Sequence, residues 1–228
     1  MELVSIEINN KIAKITLNNG KVNAISHQVI DELNEALDQA EAAKAVVILT
    51  GQPGILSGGY DLKTMQKGMN FAMALVTEGS KLTRRLLSFP FPIVTACAGH
   101  AVAKGAFLLL CSDYRIGVQG AYKIGLNEVA IGMTMHYAGI EMARNRMPAA
   151  YFSRSLFNAE MFDPETAVLA GFLDKVVEEG QLMAEAEKVA TQLSTLNMKA
   201  HHGTKLKARE AYLAAMDKAI EVDAQGSL

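Results

Sequence analysis

Two different periods of apolar residues follow each other at the start of the chain. Apolar and polar residues alternate over residues 4–8 and 13–17, with the polar run 9–11 between them. Because alternation is typical of half-buried strands, this pattern predicts a β-hairpin. From Ile30 to Ala40 the apolar residues recur instead at steps of three and four, which predicts an amphipathic helix capped by Ser26.

The middle of the chain predicts buried strands that alternate with helices. Residues 45–50 and 93–97 are short apolar runs, typical of strands buried on both faces. A helical pattern ends before Pro90, and a second, apolar helix is predicted over residues 105–111, before a strand at 113–117. This order of elements predicts crossover connections and therefore a largely parallel sheet.

Helices dominate the C-terminal part. Asp163 caps and Pro164 opens a helix that is predicted to end at Gly171, and residues 172–177 form the last predicted strand. From Leu182 onward the residues are good helix formers with apolar positions at roughly helical spacing. We expect this tail to pack on the sheet or on a neighbouring subunit, within an α/β fold that has no linker.

Composition and charge exclude several classes of protein. The chain has 228 residues, is 50% hydrophobic, and carries 22 basic and 24 acidic residues without a basic run, so nucleic acid is a poor candidate partner. Cys97 and Cys111 lack metal-ligand spacing and are expected to be reduced core residues of a cytoplasmic protein. No signal peptide is expected, and polar and helix-breaking residues within 91–111 argue against a membrane span.

The candidate chemistry lies where predicted strands end. The glycine-rich segments 51–62 and 98–107 lack the spacing of nucleotide-binding loops, so an ordinary turn and a buried helix start are alternative interpretations. The first amides of the helix after the second segment lack intrahelical acceptors and can stabilise an oxyanion. Gly125-Leu126-Asn127-Glu128 offers one carboxylate, which can serve as a base or simply occupy a surface loop.

Four segments together resemble one known family. Residues 56–62 (LSGGYDL) are similar to the Phe-Ser-Ala-Gly-Ala-Asp-Leu segment of the crotonase, or enoyl-CoA hydratase/isomerase, superfamily. Residues 92–99 (PIVTACAG) resemble its Pro-Val-Ile-Ala-Ala-Val-Asn-Gly strand, and residues 111–116 (CSDYRI) resemble the strand region after the next helix. Residues 18–25 (NNGKVNAI) resemble the loop beside the coenzyme A in that family.

The resemblance implies a crotonase-like ββα spiral core over residues 1–175 and a C-terminal helical region over residues 176–228. It also implies an acyl-CoA thioester substrate, with coenzyme A as part of that substrate and no other cofactor or metal. A homotrimer or a dimer of trimers is expected.

The resemblance further implies roles for individual residues. The backbone amides of Tyr60 and Lys104 would form the oxyanion hole, and Glu128 would be the catalytic glutamate. Phe107 falls where hydratases keep a second glutamate, so hydration should be weak, and its apolar ring can raise the pKa of Glu128. Residues 113–116 and 125–128 resemble the Δ3,Δ2-enoyl-CoA isomerases, which use one glutamate. A hydratase or other acyl-CoA lyase with one glutamate, and a catalytically silent CoA-ester scaffold, remain alternatives.

The same resemblance nominates binding residues. The expected coenzyme A contacts are Lys21, Val22, Ala24, Gly59, Asp61 and Leu62. The expected substrate pocket includes Phe107, Met133 and His136. Lys63 and Lys205 are either phosphate contacts or ordinary solvated lysines, and His136 can equally be a loop histidine without a chemical role. Tyr60 replaces a usually small residue, and the 103–106 segment replaces a glycine-rich run. These side chains do not abolish a backbone oxyanion hole but can narrow the pocket or alter its backbone, so the sequence leaves the acyl group open.

Overall fold

The computed structural model describes residues 2–226, which form nine strands and ten α-helices. The strands are β1 Val4–Asn9, β2 Ile12–Leu17, β3 Val46–Thr50, β4 Gly54–Ser57, β5 Ile93–Cys97, β6 Gly99–Val102, β7 Tyr114–Val118, β8 Ile124–Gly125 and β9 Lys175–Val177. The helices are α1 His27–Ala42, α2 Leu62–Met65, α3 Met69–Ser88, α4 Lys104–Leu110, α5 Tyr137–Arg146, α6 Ala149–Leu156, α7 Pro164–Leu169, α8 Leu182–Ser194, α9 Met198–Ala208 and α10 Glu210–Ala224.

Six strands form the main sheet in the order β1-β2-β3-β5-β7-β9. β1 and β2 are the predicted hairpin, paired antiparallel from Val4 opposite Leu17 to Asn9 opposite Ile12. Every later pair in this sheet is parallel. β3 and β5 are buried at each position, as expected for central parallel strands covered on both faces.

A second sheet consists of the short parallel strands β4, β6 and β8. It was not predicted from the sequence, because these strands have only four, four and two residues, and β4 and β6 lie in segments that read as glycine-rich turns. Each follows a strand of the main sheet, so two strands in different sheets precede the next helical segment. This repeated ββα arrangement confirms the predicted crotonase-like fold, with helices at the C-terminus.

Local capping explains where two predicted helices begin. The Ser26 hydroxyl accepts a hydrogen bond from the Val29 amide at 3.3 Å at the start of α1. The Asp163 carboxylate accepts one from the Thr166 amide at 2.7 Å, and Pro164 opens α7. Both side chains satisfy an amide that has no acceptor within its own helix, so both helix starts are confirmed.

The C-terminal helices pack on both the sheet and the other helices. α8 covers one face of the main sheet with Leu182, Ala186 and Ala190 against β3, β5 and β7. α10 contacts α3 and α5. The expected boundary after residue 175 falls within β9, and the division into two regions stays a prediction. Within residues 2–226, no helix combines the length and apolar character needed to span a bilayer.

Lys205 of α9 belongs to the core, which corrects both interpretations offered for it above. Its ammonium group donates hydrogen bonds to the carbonyl oxygens of Phe89 and Phe91, at 3.0 and 3.2 Å, and to Asp113 at 2.6 Å. The residue is only 7% exposed. A lysine bound in this way is neither solvated nor able to contact a phosphate.

Candidate active site

The buried side chain of Asn23 ties the loop between β2 and α1 to strands β2 and β4. Its amide nitrogen donates to the carbonyl oxygens of Leu17 and Leu56, at 3.1 and 2.8 Å. Its side-chain oxygen accepts from the Asn19 amide at 2.7 Å. Asn23 has a positive φ of 50°, a conformation that asparagine tolerates better than most residues. Asn23, which positions this loop against β4, is not among the residues nominated from the sequence.

The backbone around Tyr60 lies in extended contact with Ile25. The Ile25 amide donates to the Gly59 carbonyl at 2.8 Å, and the Asp61 amide donates to the Ile25 carbonyl at 2.9 Å. The C=O and N–H of one trans peptide group point in opposite directions. Because the Gly59 carbonyl points at Ile25, the Tyr60 amide points away from it. Among residues 2–226 no backbone acceptor takes a hydrogen bond from this amide. It is therefore free to bind an oxyanion.

The Lys104 amide begins α4 and likewise has no backbone acceptor among the described residues. The preceding Ala103 has φ 51° and ψ −118°, a strained conformation for a residue with a side chain. A Cβ atom placed on Gly59 would lie 3.7 Å from the Lys104 nitrogen, so this amide is close to the backbone that carries Tyr60. The structure thus brings together the two segments predicted to form the oxyanion hole.

Glu128 is linked to the same region by the main chain. The Ala103 amide donates to the Gly125 carbonyl at 3.0 Å, which joins the start of α4 to the segment leading to Glu128. Glu128 directly precedes the 3₁₀ turn Val129–Ile131, and its carbonyl oxygen accepts from the Met133 amide at 2.9 Å. These bonds fix the backbone on both sides of the glutamate.

The Glu128 carboxyl group is buried without full hydrogen bonding. The residue is 8% exposed, and its Oε2 atom has no hydrogen-bond partner within residues 2–226. Burial raises the pKa of Glu128 to about 7, against a smaller lowering effect of its own backbone amide. A carboxylate with this pKa is a much stronger base than an exposed glutamate and is still partly ionised at neutral pH.

Glu128 lines a pocket of about 240 Å³ between α3 and the loop that leads to α5. One wall comes from the region of Tyr60 and α3, and the other comes from residues 128–136. Most of the lining is apolar, and Glu128 is its acidic residue. The lining residues are Tyr60, Met65, Met69, Ala72, Val76, Glu128, Gly132, Met133, Thr134 and His136.

The three residues predicted to form the substrate pocket have different positions. Met133 and His136 line the pocket with Glu128, whereas Phe107 is not among the lining residues. The Phe107 ring is 1% exposed and packs edge-on against the His136 ring, with ring centres 5.6 Å apart. Burial, followed by the nearby Lys104 charge, lowers the pKa of His136 to about 3. His136 is therefore a neutral member of the wall at physiological pH.

The six residues predicted to contact coenzyme A lie on two adjoining segments. The Gly58 amide donates to the Val22 carbonyl at 2.8 Å, so the loop with Lys21, Val22 and Ala24 adjoins the segment with Gly59, Asp61 and Leu62. The side chains of Val22 and Leu62 are exposed. The Asp61 carboxylate accepts from the Thr64 amide and hydroxyl, at 3.1 and 2.7 Å, and thereby caps α2. Their role in binding stays a prediction.

Two further features of the site were missed from the sequence. The Lys104 side chain is buried, donates to the Gly79 carbonyl of α3 at 2.5 Å, and has its pKa lowered to about 7 by burial. Asp223 of α10 accepts from the Tyr137 and Ala138 amides, at 2.8 and 2.9 Å, and so caps the helix that follows His136. In both cases the partner is distant in sequence, and no local motif indicated it.

Comparison with known proteins defines the family. A family model described as enoyl-CoA hydratase/isomerase matches residues 7–226, and the chain therefore belongs to the enoyl-CoA hydratase/isomerase family. A crystal structure of a protein of this family from Pseudomonas syringae is 62% identical, covers 99% of this chain and 98% of its own, and has a TM-score of 0.98.

Named relatives divide between two activities. Enoyl-CoA delta isomerase 1 from mitochondria of Mus musculus is 32% identical over 94% of this chain and 76% of the relative. A protein of Bacillus subtilis named a probable enoyl-CoA hydratase is 29% identical over 86% of this chain and 81% of the relative. The family is thus established, and the geometry of the site has to distinguish the reaction.

Proposed function

We propose that the protein is a Δ3,Δ2-enoyl-CoA isomerase that uses Glu128 as its single base. The observation that carries this proposal is the buried, incompletely paired carboxyl group of Glu128 in a mostly apolar pocket. A hydratase mechanism with two glutamates would need a second carboxylate to orient water, and Phe107 occupies the position at which the family resemblance would place it.

The proposed reaction moves one proton within the acyl chain. The Glu128 carboxylate takes a proton from C2 of a 3-enoyl thioester. The electron pair of that C–H bond delocalises over C2, C4 and the carbonyl oxygen, which gives a dienolate. The amides of Tyr60 and Lys104 donate hydrogen bonds to this oxygen. The Glu128 carboxyl group then returns the proton to C4, which leaves the double bond between C2 and C3 and regenerates the base.

The magnitudes fit this division of roles. A positioned base typically contributes about 10²–10⁴ in rate, and one oxyanion donor about 10²–10³. The apolar surroundings raise the pKa of Glu128 towards that of a base suited to neutral pH. No other cofactor is needed for a proton transfer of this kind. The coenzyme A contacts, the trimer or dimer of trimers and the cytoplasmic location are parts of the same proposal.

The test compares two reactions in one preparation. Formation of the conjugated thioester from 3-hexenoyl-CoA is followed by ultraviolet absorbance, in parallel with hydration of crotonyl-CoA. Glu128→Gln is compared with Glu35→Gln, an exposed glutamate on α1 that serves as the matched control. We expect wild type and Glu35→Gln to isomerise 3-hexenoyl-CoA, and Glu128→Gln to lose this activity. Dominant hydration would instead indicate a one-glutamate hydratase, and silence in both assays would favour the CoA-ester scaffold.

A further inference from the structure

Tyr60, Val76, Gly79 and Lys104 form a group of contacting residues beside the pocket. The Tyr60 hydroxyl donates to the Val76 carbonyl of α3 at 3.4 Å. The Lys104 ammonium group donates to the Gly79 carbonyl and lies 5.5 Å from the centre of the Tyr60 ring. The ring of Tyr60 is thus held between α3 and the side chain at the start of α4.

Gly79 is the residue that makes room for this ring. A Cβ atom at position 79 would lie 2.1 Å from the Tyr60 hydroxyl oxygen and 2.6 Å from the ring carbon Cε1. A glycine inside a helix costs roughly 0.5–1 kcal/mol relative to alanine, so its presence in α3 calls for a packing reason. The position of the Tyr60 ring supplies that reason, and the two residues act as a matched pair.

The pocket becomes more deeply buried towards this pair. Met69, Ala72 and Val76 line it from one face of α3, and exposure falls from 61% at Met69 to 3% at Val76. Gly79 is one helical turn further along α3, where the Tyr60 ring lies. The Tyr60 ring therefore lies at the buried end of the α3 wall, and the exposed Met69 lies at the other end.

The Tyr60 ring belongs to the residue whose amide faces the oxyanion. Only a few single bonds separate a tyrosine amide from its own ring, so the near edge of the ring lies beside the atoms next to the bound thioester oxygen. In a 3-enoyl thioester bound as proposed above, those atoms are the first carbons of the acyl group.

We infer that the Tyr60 ring, accommodated by Gly79, determines acyl specificity by excluding acyl groups that are branched or cyclic next to the carbonyl. The substrate class is then unbranched acyl thioesters, which are thin enough to pass between the ring and the Glu128 wall. This inference rests on the proposed function, because that function places the thioester at the Tyr60 and Lys104 amides.

The space at stake is large enough to produce a clear effect. An apolar cavity of about 150 Å³ accommodates benzene, so a pocket of about 240 Å³ has the volume for a six-membered ring. Because the Tyr60 ring is part of the lining, its size limits how bulky a group can be where the ring lies. Removal of the Tyr60 ring opens the pocket there. A specificity change of at least about tenfold is expected, since even a single methylene changes selectivity by roughly 10–200-fold.

The test measures binding of two saturated esters, hexanoyl-CoA and cyclohexanecarbonyl-CoA, by isothermal titration calorimetry. Wild type should prefer hexanoyl-CoA by about tenfold or more. In Tyr60→Ala this preference should fall by at least about tenfold, whereas Tyr60→Phe, which lacks only the hydroxyl group, should keep the wild-type ratio. Tyr60→Leu provides a second cavity variant if the alanine variant does not fold.

Gly79→Ala tests the pairing. With Tyr60 present, the added methyl group should push the ring into the pocket and weaken hexanoyl-CoA binding about tenfold or more. In the Tyr60→Ala background the same change should have little effect. An unchanged ratio of the two esters in both cavity variants would overturn the inference, as would failure of wild type to bind either ester.

These measurements separate the inference from the proposed function. Saturated esters cannot be isomerised, so their binding is measured independently of the reaction. A change in the ratio of their affinities in the Tyr60 variants, without turnover of 3-hexenoyl-CoA by wild type, would support the role of Tyr60 in acyl specificity and reject the isomerase. Turnover of 3-hexenoyl-CoA with an unchanged ratio of the two affinities would support the isomerase and reject the role of Tyr60 in acyl specificity.

Discussion

Two carboxylates, Glu128 and Asp113, are largely removed from water but are bound in opposite ways. Asp113 accepts hydrogen bonds from the Ile93 amide at 2.9 Å, Lys205 at 2.6 Å and Arg209 at 2.9 Å. Glu128 keeps an oxygen atom without a partner in the described chain. Burial by itself therefore does not identify a reactive acid, because the partners decide whether the carboxylate remains available to a substrate.

The difference follows from the surroundings of the two groups. Two cations and an amide surround Asp113, so its charge is neutralised within the fold and holds α9 against β5. The lining of the Glu128 pocket is mostly apolar, and burial raises the pKa of Glu128. The two sites predict opposite consequences for the same chemical change, carboxylate to amide.

The largest effect is expected from Glu128→Gln. Loss of the base should lower the turnover of 3-hexenoyl-CoA by about 10²–10⁴. Since the amide also removes an incompletely paired buried carboxyl group, the free energy of unfolding at pH 7 should be unchanged or higher. Steady-state kinetics and urea unfolding measure the two quantities. A strongly destabilised variant would show that Glu128 is structural, like Asp113.

Asp113→Asn should show the reverse pattern. It leaves the buried Lys205 without its counter-charge, and breaking a buried pair in this way costs about 3 kcal/mol or more. The matched control is Asp217→Asn, which breaks the exposed pair with Arg84 and should cost at most about 1 kcal/mol. Urea unfolding measures both variants, and residual folded Asp113→Asn should keep its turnover per molecule. An equal loss of unfolding free energy in Asp113→Asn and Asp217→Asn would contradict the structural role of the buried Asp113 pair.

The pH dependence should identify Glu128 directly. Because the base must be ionised, kcat/KM for 3-hexenoyl-CoA should fall about tenfold per pH unit below about 7 and level off above it. A pH–rate profile measured in overlapping buffers at constant ionic strength gives the apparent pKa. A profile that stays flat down to pH 5 would assign the proton transfer to another group.

The same titration carries a stability signature. Folding raises the pKa of Glu128, so the folded state binds the proton more tightly than the unfolded state, and the associated stability is lost as pH rises from about 4.5 to about 7. Relative to Glu128→Gln, wild type should lose up to about 3 kcal/mol of unfolding free energy across this range. Urea unfolding of wild type and Glu128→Gln at several pH values measures this loss. A difference in unfolding free energy that does not change with pH would argue against a raised pKa.

The smallest effect is expected at a third carboxylate, Asp223, which accepts from two backbone amides and no cation. Asp223→Asn keeps one acceptor oxygen and should lower the free energy of unfolding by roughly 1–2 kcal/mol. Because the cap fixes the helix after His136, KM for 3-hexenoyl-CoA should rise more than kcat falls. Thermal unfolding and steady-state kinetics test this, with Asp217→Asn again as the exposed control.

Much of the fold was predictable because it depends on short-range patterns. The alternation in residues 4–17 predicted the β1–β2 hairpin, and the helical periodicity after Ser26 predicted α1 with its cap. Glu128 was recognised through its position in a motif, and the structure places it in a pocket with Met133 and His136. The small sheet escaped prediction because strands of two to four residues leave no periodic signal.

The lysines show where sequence reasoning reaches its limit. A lysine at position 205 reads as a solvated residue, yet its ammonium group is held by two carbonyl oxygens and a carboxylate from segments about 90 to 120 residues away. Lys104 was nominated for its amide alone, although its side chain also supports α3 beside the pocket. The identity of a residue does not reveal which distant groups will surround it.

The sequence by itself determined the family resemblance, the helices and strands with clear periods, and the presence of one candidate base without a second carboxylate. These properties depend on residue identity and spacing, which are local quantities. Only the tertiary structure decided that Glu128 is buried with an unpaired oxygen, that Asp113 is neutralised, and that Tyr60 packs into the space left by Gly79. Those outcomes depend on contacts between distant segments, because burial and pairing arise only when the chain has folded around each group.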